Sequence, residues 1–149
     1  MKALVVYDSV YGNTEKIARA IGEGISEDTR VVRAAEASPV DFESVDLLIV
    51  GAPTQGGRAT QLVRDFLKKM PASAVEGIDV AAFDTRISAK WVGIFGYAAG
   101  KIAGSLKKMG GNLLANPEAF FVTGTEGPLK DGEEERAMAW ANRLIAGKS

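Results

Sequence analysis

Leu4-Val5-Val6-Tyr7-Asp8-Ser9-Val10-Tyr11-Gly12-Asn13-Thr14-Glu15-Lys16-Ile17-Ala18 is the stretch whose reading decides the fold. Its apolar front end, from Ala3 to Tyr7, has the length and β-branched composition of a buried strand. Behind it Ile17, Ile21 and Ile25 recur every fourth residue, as on one face of a helix. Between the two lies a strand-to-helix turn. The first N–H groups of such a helix have no intrahelical partner, and with the positive end of the helix dipole they form a site for an anion, usually a phosphate. Ser9, Asn13 and Thr14 add donors of their own. On this turn alone, capping of the helix by Asn13 or Thr14 explains the same residues without any ligand.

Composition narrows the chemistry. A chain of 149 residues suits one domain, residues 1–149, with enough buried surface for a core without staples. It has no cysteine, which removes disulfides, thiolate nucleophiles, Cys-ligated zinc and iron–sulfur clusters. It has no histidine either, which removes a Ser-His-Asp triad and every His-containing metal site. No catalytic residue and no metal ligand is therefore expected, and the reactive group is expected to be a bound cofactor. The net charge is -1 and no run of Lys and Arg exceeds a pair, which gives no reason to expect nucleic acid. The apolar runs from Ala3 to Tyr7 and Leu47 to Pro53 are too short to span a bilayer, and Lys2 leads into a strand rather than a signal peptide. A soluble, cytoplasmic protein is expected.

Taken in order, the chain alternates strands and helices. After the first helix, whose last turns Gly22 and Gly24 are expected to loosen, Thr29 to Ala34 reads as a short strand. Ala35 to Ser44 reads as a polar connection with one helical turn near Val40 to Glu43. Asp46 to Ala52 is the clearest buried strand, and it ends at Pro53, which has no N–H for a ladder. A Gly-rich loop from Thr54 to Ala59 leads to Thr60, a candidate cap for a helix with Leu62, Val63, Phe66, Leu67 and Met70 on one face; Pro71 stops it. A fourth strand is predicted from Ile78 to Asp84, then an aromatic-rich loop, then a helix with Ile102, Ala103, Leu106 and Met109 inside and Gly110-Gly111 at its end. Ala119 to Gly124 makes a fifth strand and Gly127-Pro128 a turn. Asp131 with Glu134 resembles a capping pair for a last helix that buries Ala137, Met138, Ala141, Leu144 and Ile145.

Five apolar strands separated by helices imply a doubly wound α/β fold, a five-stranded parallel sheet with helices on both faces. In such sheets ligands bind outside the carboxyl ends of the strands, where strand order reverses. Three loops lie there: Asp8 to Asn13, Pro53 to Ala59 and Asp84 to Gly96. Each is richer in Gly, hydroxyls or aromatics than a connection requires.

The order of elements and the three loops together resemble a short-chain flavodoxin, over essentially the whole chain. The resemblance implies strand order 2-1-3-4-5 and bound flavin mononucleotide (FMN). The family's first loop follows a hydroxyl-x-Thr-Gly-x-Thr pattern around the flavin phosphate. Here Ser9, Val10, Tyr11, Gly12, Asn13 and Thr14 stand in that loop, matching at Ser9, Gly12 and Thr14 and departing at Tyr11. In the second loop, Pro53, Thr54, Gln55, Gly56 and Gly57 resemble the segment along the flavin ring. Gly56 stands where a peptide flips to accept a hydrogen bond from the reduced N5, and Gln55 replaces an aromatic that many flavodoxins use to shield the ring. The third loop supplies Asp84, Thr85 and Arg86, and counting back from Ile102, Leu106 and Gly110 puts Trp91 nearest the place of the outer stacking aromatic, with Tyr97 behind it.

The resemblance thus implies a low-potential carrier of single electrons between a reductase and an acceptor protein, as a monomer or weak dimer. Other readings compete with it. A response-regulator receiver shares the topology, but Pro53-Thr54 stands where its phosphoacceptor Asp belongs. A dinucleotide fingerprint is absent from the first turn, and Gly96 to Ile102 is one residue short of a phosphate loop. Two alternatives stay open: a flavin-dependent NAD(P)H/quinone or protoporphyrinogen-type reductase, favoured by the nearly neutral charge and by Gln55, and a flavin-free interaction module of the same fold.

Overall fold

The computed structural model describes residues 1–25, 28–88 and 97–147. Its elements are β1 (Ala3–Tyr7), α1 (Asn13–Ile25), β2 (Thr29–Arg33), β3 (Leu47–Pro53), α2 (Gln61–Lys69), β4 (Asp79–Ile87), α3 (Ala98–Lys108), β5 (Asn112–Leu113), β6 (Glu118–Val122) and α4 (Glu133–Ala146). Single 3-10 turns at Ala34–Glu36 and Pro39–Phe42 occupy the β2–β3 connection, where one turn was expected. The strand order is β2-β1-β3-β4-β5, with β6 also on β4, and every pairing is parallel. This is the doubly wound sheet that the strand–helix alternation predicts.

The fifth sheet position is shared by two short strands. β5 pairs with the start of β4 at Asp79 and Val80, and β6 pairs with its end from Phe83 to Ile87. This pairing carries β4 three residues beyond the expected Asp84. The apolar run near Phe120 marks β6 in the sequence, whereas Asn112-Leu113 is too short to show a period.

Alternate residues of the central strands enter opposite layers, as a period of two requires. Leu4, Val6, Leu48, Val50, Val80 and Ala82 pack beneath Val63 and Leu67 of α2 and Ile102 and Leu106 of α3. Val5, Tyr7, Ile49, Ala81 and Phe83 face Ile17 and Ile21 of α1 and Trp140 of α4. Burying one such Ile, Leu or Phe contributes about 1.5–3 kcal/mol of transfer free energy, so the strands are held on both sides. Phe83, Phe120 and Trp140 form an edge-to-face cluster with centroids 5.9–6.4 Å apart. Such packing is worth more than the area alone.

Several local expectations change. Gly22 and Gly24 leave α1 unbroken to Ile25. A Cβ on Gly24 would lie 2.6 Å from the Met138 carbonyl oxygen, so this glycine serves the close approach of α1 and α4. Thr60 occupies the N-cap position of α2, but its hydroxyl makes no capping bond and is buried without a partner among the described residues. Leu62 and Met138 point outward. α4 starts behind Gly132 with no side-chain cap, so Asp131 and Glu134 do not form the expected pair. Glu133 turns inward instead and accepts the Phe121 N–H at 2.7 Å, joining α4 to β6.

Candidate functional site at the carboxyl edge of the sheet

The first loop leaves β1 with the Asp8 N–H on the Gly51 carbonyl at 3.2 Å. The Ser9 hydroxyl oxygen accepts the Gly12 N–H at 3.0 Å, which curls the turn upon itself. Val10 and Tyr11 are half exposed at its crest. Among the described residues no acceptor meets the main-chain N–H of Val10, Tyr11, Asn13, Thr14 or Glu15, so these donors are open to an anion. Glu15 is paired with Arg19 at 2.8 Å and Arg33 at 2.9 Å. The hydrogen bond from Arg19 chiefly holds its carboxyl below the usual range, and both cations offset its charge near the helix N-terminus.

Asn13 and Thr14 are buried and fix this turn to other elements. The Asn13 amide donates to the Glu126 carbonyl at 3.1 Å. The Thr14 and Thr85 hydroxyls meet at 2.7 Å, across from α1 to the end of β4.

The second loop is tied to the third. The Thr54 N–H donates to the Thr85 carbonyl at 2.9 Å, and its hydroxyl donates to Asp84 Oδ2 at 3.1 Å while accepting the Ala98 N–H at 3.0 Å. Beyond it Gln55 and Arg58 exchange two main-chain hydrogen bonds around Gly56 and Gly57, whose φ values are 57° and 78°. Two successive positive φ angles make this a tight hairpin of the primed type, a conformation that favours glycine. A Cβ on Gly56 would meet nothing within 4 Å, so one side of the peptide faces open space.

Asp84, expected to open the third loop, lies fully buried within β4, which runs on to Ile87. Its carboxylate accepts two bonds from Arg86, one from Thr54 and one from the Ala99 N–H at 2.9 Å, the last at the N-terminus of α3. A charge so placed is compensated by the guanidinium and by the helix dipole. The Arg86 guanidinium in turn covers the Tyr97 ring at 3.4 Å from its centroid. Trp91 lies outside the described residues.

A cavity of about 150 Å3 opens where the three loops meet. Val10, Tyr11, Asn13 and Thr14 line it from the first loop, Pro53, Thr54 and Gln55 from the second, and Thr85 and Arg86 from the third. Ser9, Gly12, Gly56, Gly57 and Asp84 shape the loops around it. Ile87, Val122 and Thr125 also line it. Sequence reasoning passed over these three, although Ile87 continues the alternation of β4 and Val122 ends a strand at the same sheet edge. Open N–H donors, hydroxyls and a concave floor at a switch point of strand order fit a phosphate-bearing tail.

A doubly wound α/β sheet with donors gathered at its carboxyl edge has the place at which proteins of this class bind phosphate-bearing ligands. The family model for flavodoxin matches residues 5–140, and the chain belongs to the flavodoxin family. As a member it is a flavin-binding electron-transfer protein. It is 26% identical to the flavodoxin of Nitratidesulfovibrio vulgaris (strain Miyazaki F), over 95% of each chain. It is also 39% identical over 59 residues to the uncharacterized protein MJ0534 of Methanocaldococcus jannaschii, but that match spans 35% of this chain and only 15% of that protein. The solved structure of a flavodoxin from the domain Archaea superposes with a TM-score of 0.81 at 22% identity, covering 99% of this chain and 98% of that one, a likeness of fold. No helix among the described residues is long and apolar enough to cross a membrane.

Proposed function

We infer that the flavin is FMN and that the chain carries single electrons at low potential between redox partner proteins in the cytoplasm, as a monomer or weak dimer. The observation that carries this reading is the convergence of the three loops on one cavity, cross-tied by Thr14–Thr85 and Thr54–Asp84. In this reading the open N–H groups from Val10 to Glu15 hold the phosphate, and Thr14 keeps α1 in register with the third loop. Pro53, Thr54 and Gln55 line the approach of the ring, with the Gly56 peptide at its edge.

Bound FMN supplies the one-electron chemistry. The chain orients it, excludes water on the sheet side, and presents a main-chain group at Gly56 able to hold a proton-bearing nitrogen. Asp84 acts as a positioning residue: it anchors Thr54, Arg86 and the first N–H groups of α3. Because Arg86 is neutralised by Asp84, it leaves little uncompensated positive charge to raise the potential.

Titration of FMN with the purified protein tests the reading. Quenching of flavin fluorescence at micromolar protein is expected, and its absence overturns the proposal. A reductive titration that proceeds in two one-electron stages supports a carrier, whereas a single two-electron stage with NAD(P)H oxidation supports a reductase.

A further inference from the structure

A second concavity, of about 560 Å3, lies on the flank of the molecule between α2 and α3. Its floor is apolar, with Leu67, Met70, Ile102 and Met109, and its rim is cationic: Arg58, Arg64, Lys68, Lys101 and Lys108 all line it, with no Asp or Glu among the described lining residues. In the sequence these five cations are scattered over 51 positions and show as nothing larger than a pair. Only the packing of α2 beside α3 groups them. The whole chain has a net charge of -1, so five cations at one groove require segregated charge; Glu133, Glu134 and Glu135 gather at the start of α4, in the opposite layer.

Local helix electrostatics explains part of this rim. Lys68 and Lys108 are in the last turns of α2 and α3, where a cation complements the dipole. Arg58 precedes α2, Arg64 is in its middle, and Lys101 is in the first half of α3, near the end where a cation is disfavoured. Among the described residues no carboxylate pairs with Arg58, Arg64, Lys68 or Lys108. At these four residues the rim therefore carries positive charge that no carboxylate among the described residues offsets.

We propose that this groove docks an acidic protein partner, which inserts an apolar side chain between α2 and α3 and sets its carboxylates on the cationic rim. The Met-bearing floor adapts to such a side chain, and cations around an apolar centre follow the anatomy of a protein interface. Among the described residues the groove has no aromatic lining on which nucleic-acid bases could stack. Arg58 closes the Gly56-Gly57 hairpin, and α3 begins on Asp84, so a partner seated here comes alongside the flavin loops. That the partner exchanges electrons rests on the flavin reading; that it is acidic rests on the groove alone.

The test is a titration of the isotope-labelled full chain, supplied with FMN, with acidic cytochrome b5, basic cytochrome c and a single-stranded oligonucleotide, followed by amide chemical shifts. Cytochrome b5 is expected to perturb α2 and α3 around the groove, more weakly as salt rises. Lys68→Glu with Lys108→Glu should weaken it by at least about tenfold, whereas Glu134→Lys with Glu135→Lys should not. The proposal is overturned by no footprint, by a footprint elsewhere, by cytochrome c or the oligonucleotide binding the groove more tightly, or by insensitivity to the Lys reversals. Flavin fluorescence in the same samples separates the two readings. A cytochrome b5 footprint without bound flavin overturns the flavin reading and leaves the docking site standing, and bound flavin without the footprint does the reverse.

Discussion

Arg86 grips the buried carboxylate of Asp84, two residues before it in β4, through two nitrogens at 2.8 and 2.7 Å. Removing one partner strands the other. Arg86→Ala is expected to cost about 3 kcal/mol, because a fully buried carboxylate loses its counter-charge, whereas the double change Asp84→Asn with Arg86→Met should cost less. Urea unfolding of the three proteins measures the difference. Asp84→Ala also frees Thr54 and the start of α3, so FMN affinity should fall about tenfold or more, by loss of positioning rather than of a direct contact.

The Thr14–Thr85 bond gives a sharper test of cross-tying. Thr14→Val or Thr85→Val alone leaves a buried hydroxyl without its partner and should cost about 1–3 kcal/mol. Replacing both restores an apolar pair of the same shape, so the double variant should be less destabilised than the sum. A double-mutant cycle in thermal or urea unfolding that proves additive would show the two hydroxyls to be independent.

Two glycines near the site should respond differently to alanine. Gly56 has φ of 57° and open space around its missing Cβ, so Gly56→Ala should cost only the left-handed strain of about 1–2 kcal/mol. A Cβ on Gly51 would lie 2.1 Å from the Phe83 ring, so Gly51→Ala must displace that ring and its contacts with Phe120 and Trp140. We expect at least about 3 kcal/mol, the upper end for overpacking, and a changed near-ultraviolet dichroism from Trp140.

Acid stability should depend on Glu133. The Arg136 hydrogen bonds hold its carboxyl below the ordinary value of 4.5, helped by the Phe121 N–H. A depressed folded pKa contributes stability that is fully present above the ordinary value and is lost as pH falls through the folded one. Urea midpoints should therefore stay level in this respect down to about pH 5 and then decline. Glu133→Gln should lower the midpoint at neutral pH and flatten the decline below it.

The fold was legible because its strands are buried on both faces. Leu4 to Tyr7 and Leu47 to Ala52 have to be apolar at every position, and such runs stand out at any register. β5 did not stand out, because a two-residue strand exists only where β4 offers it an edge. The candidate site was legible at its turns: Gly12 in the first loop and Gly56-Gly57 in the second take the positive φ angles that favour glycine. Ile87, Val122 and Thr125 carry no such mark, since an apolar or hydroxyl residue at a strand end becomes part of a wall only through what packs beside it.

The sequence by itself determined the alternation of strands and helices and the loops that carry donors, since short-range periodicity and turn chemistry are local properties. It also excluded thiol and imidazole chemistry by omission. Tertiary structure decided what the polar residues do. Asp84, a strand-end residue in the sequence, becomes a buried anchor because Arg86, Thr54 and the N-terminus of α3 converge on it. Five separated cations become one rim because α2 and α3 pack side by side on the sheet. Charge and hydrogen bonding act through space over a few ångströms, and only the fold sets which residues lie within that distance.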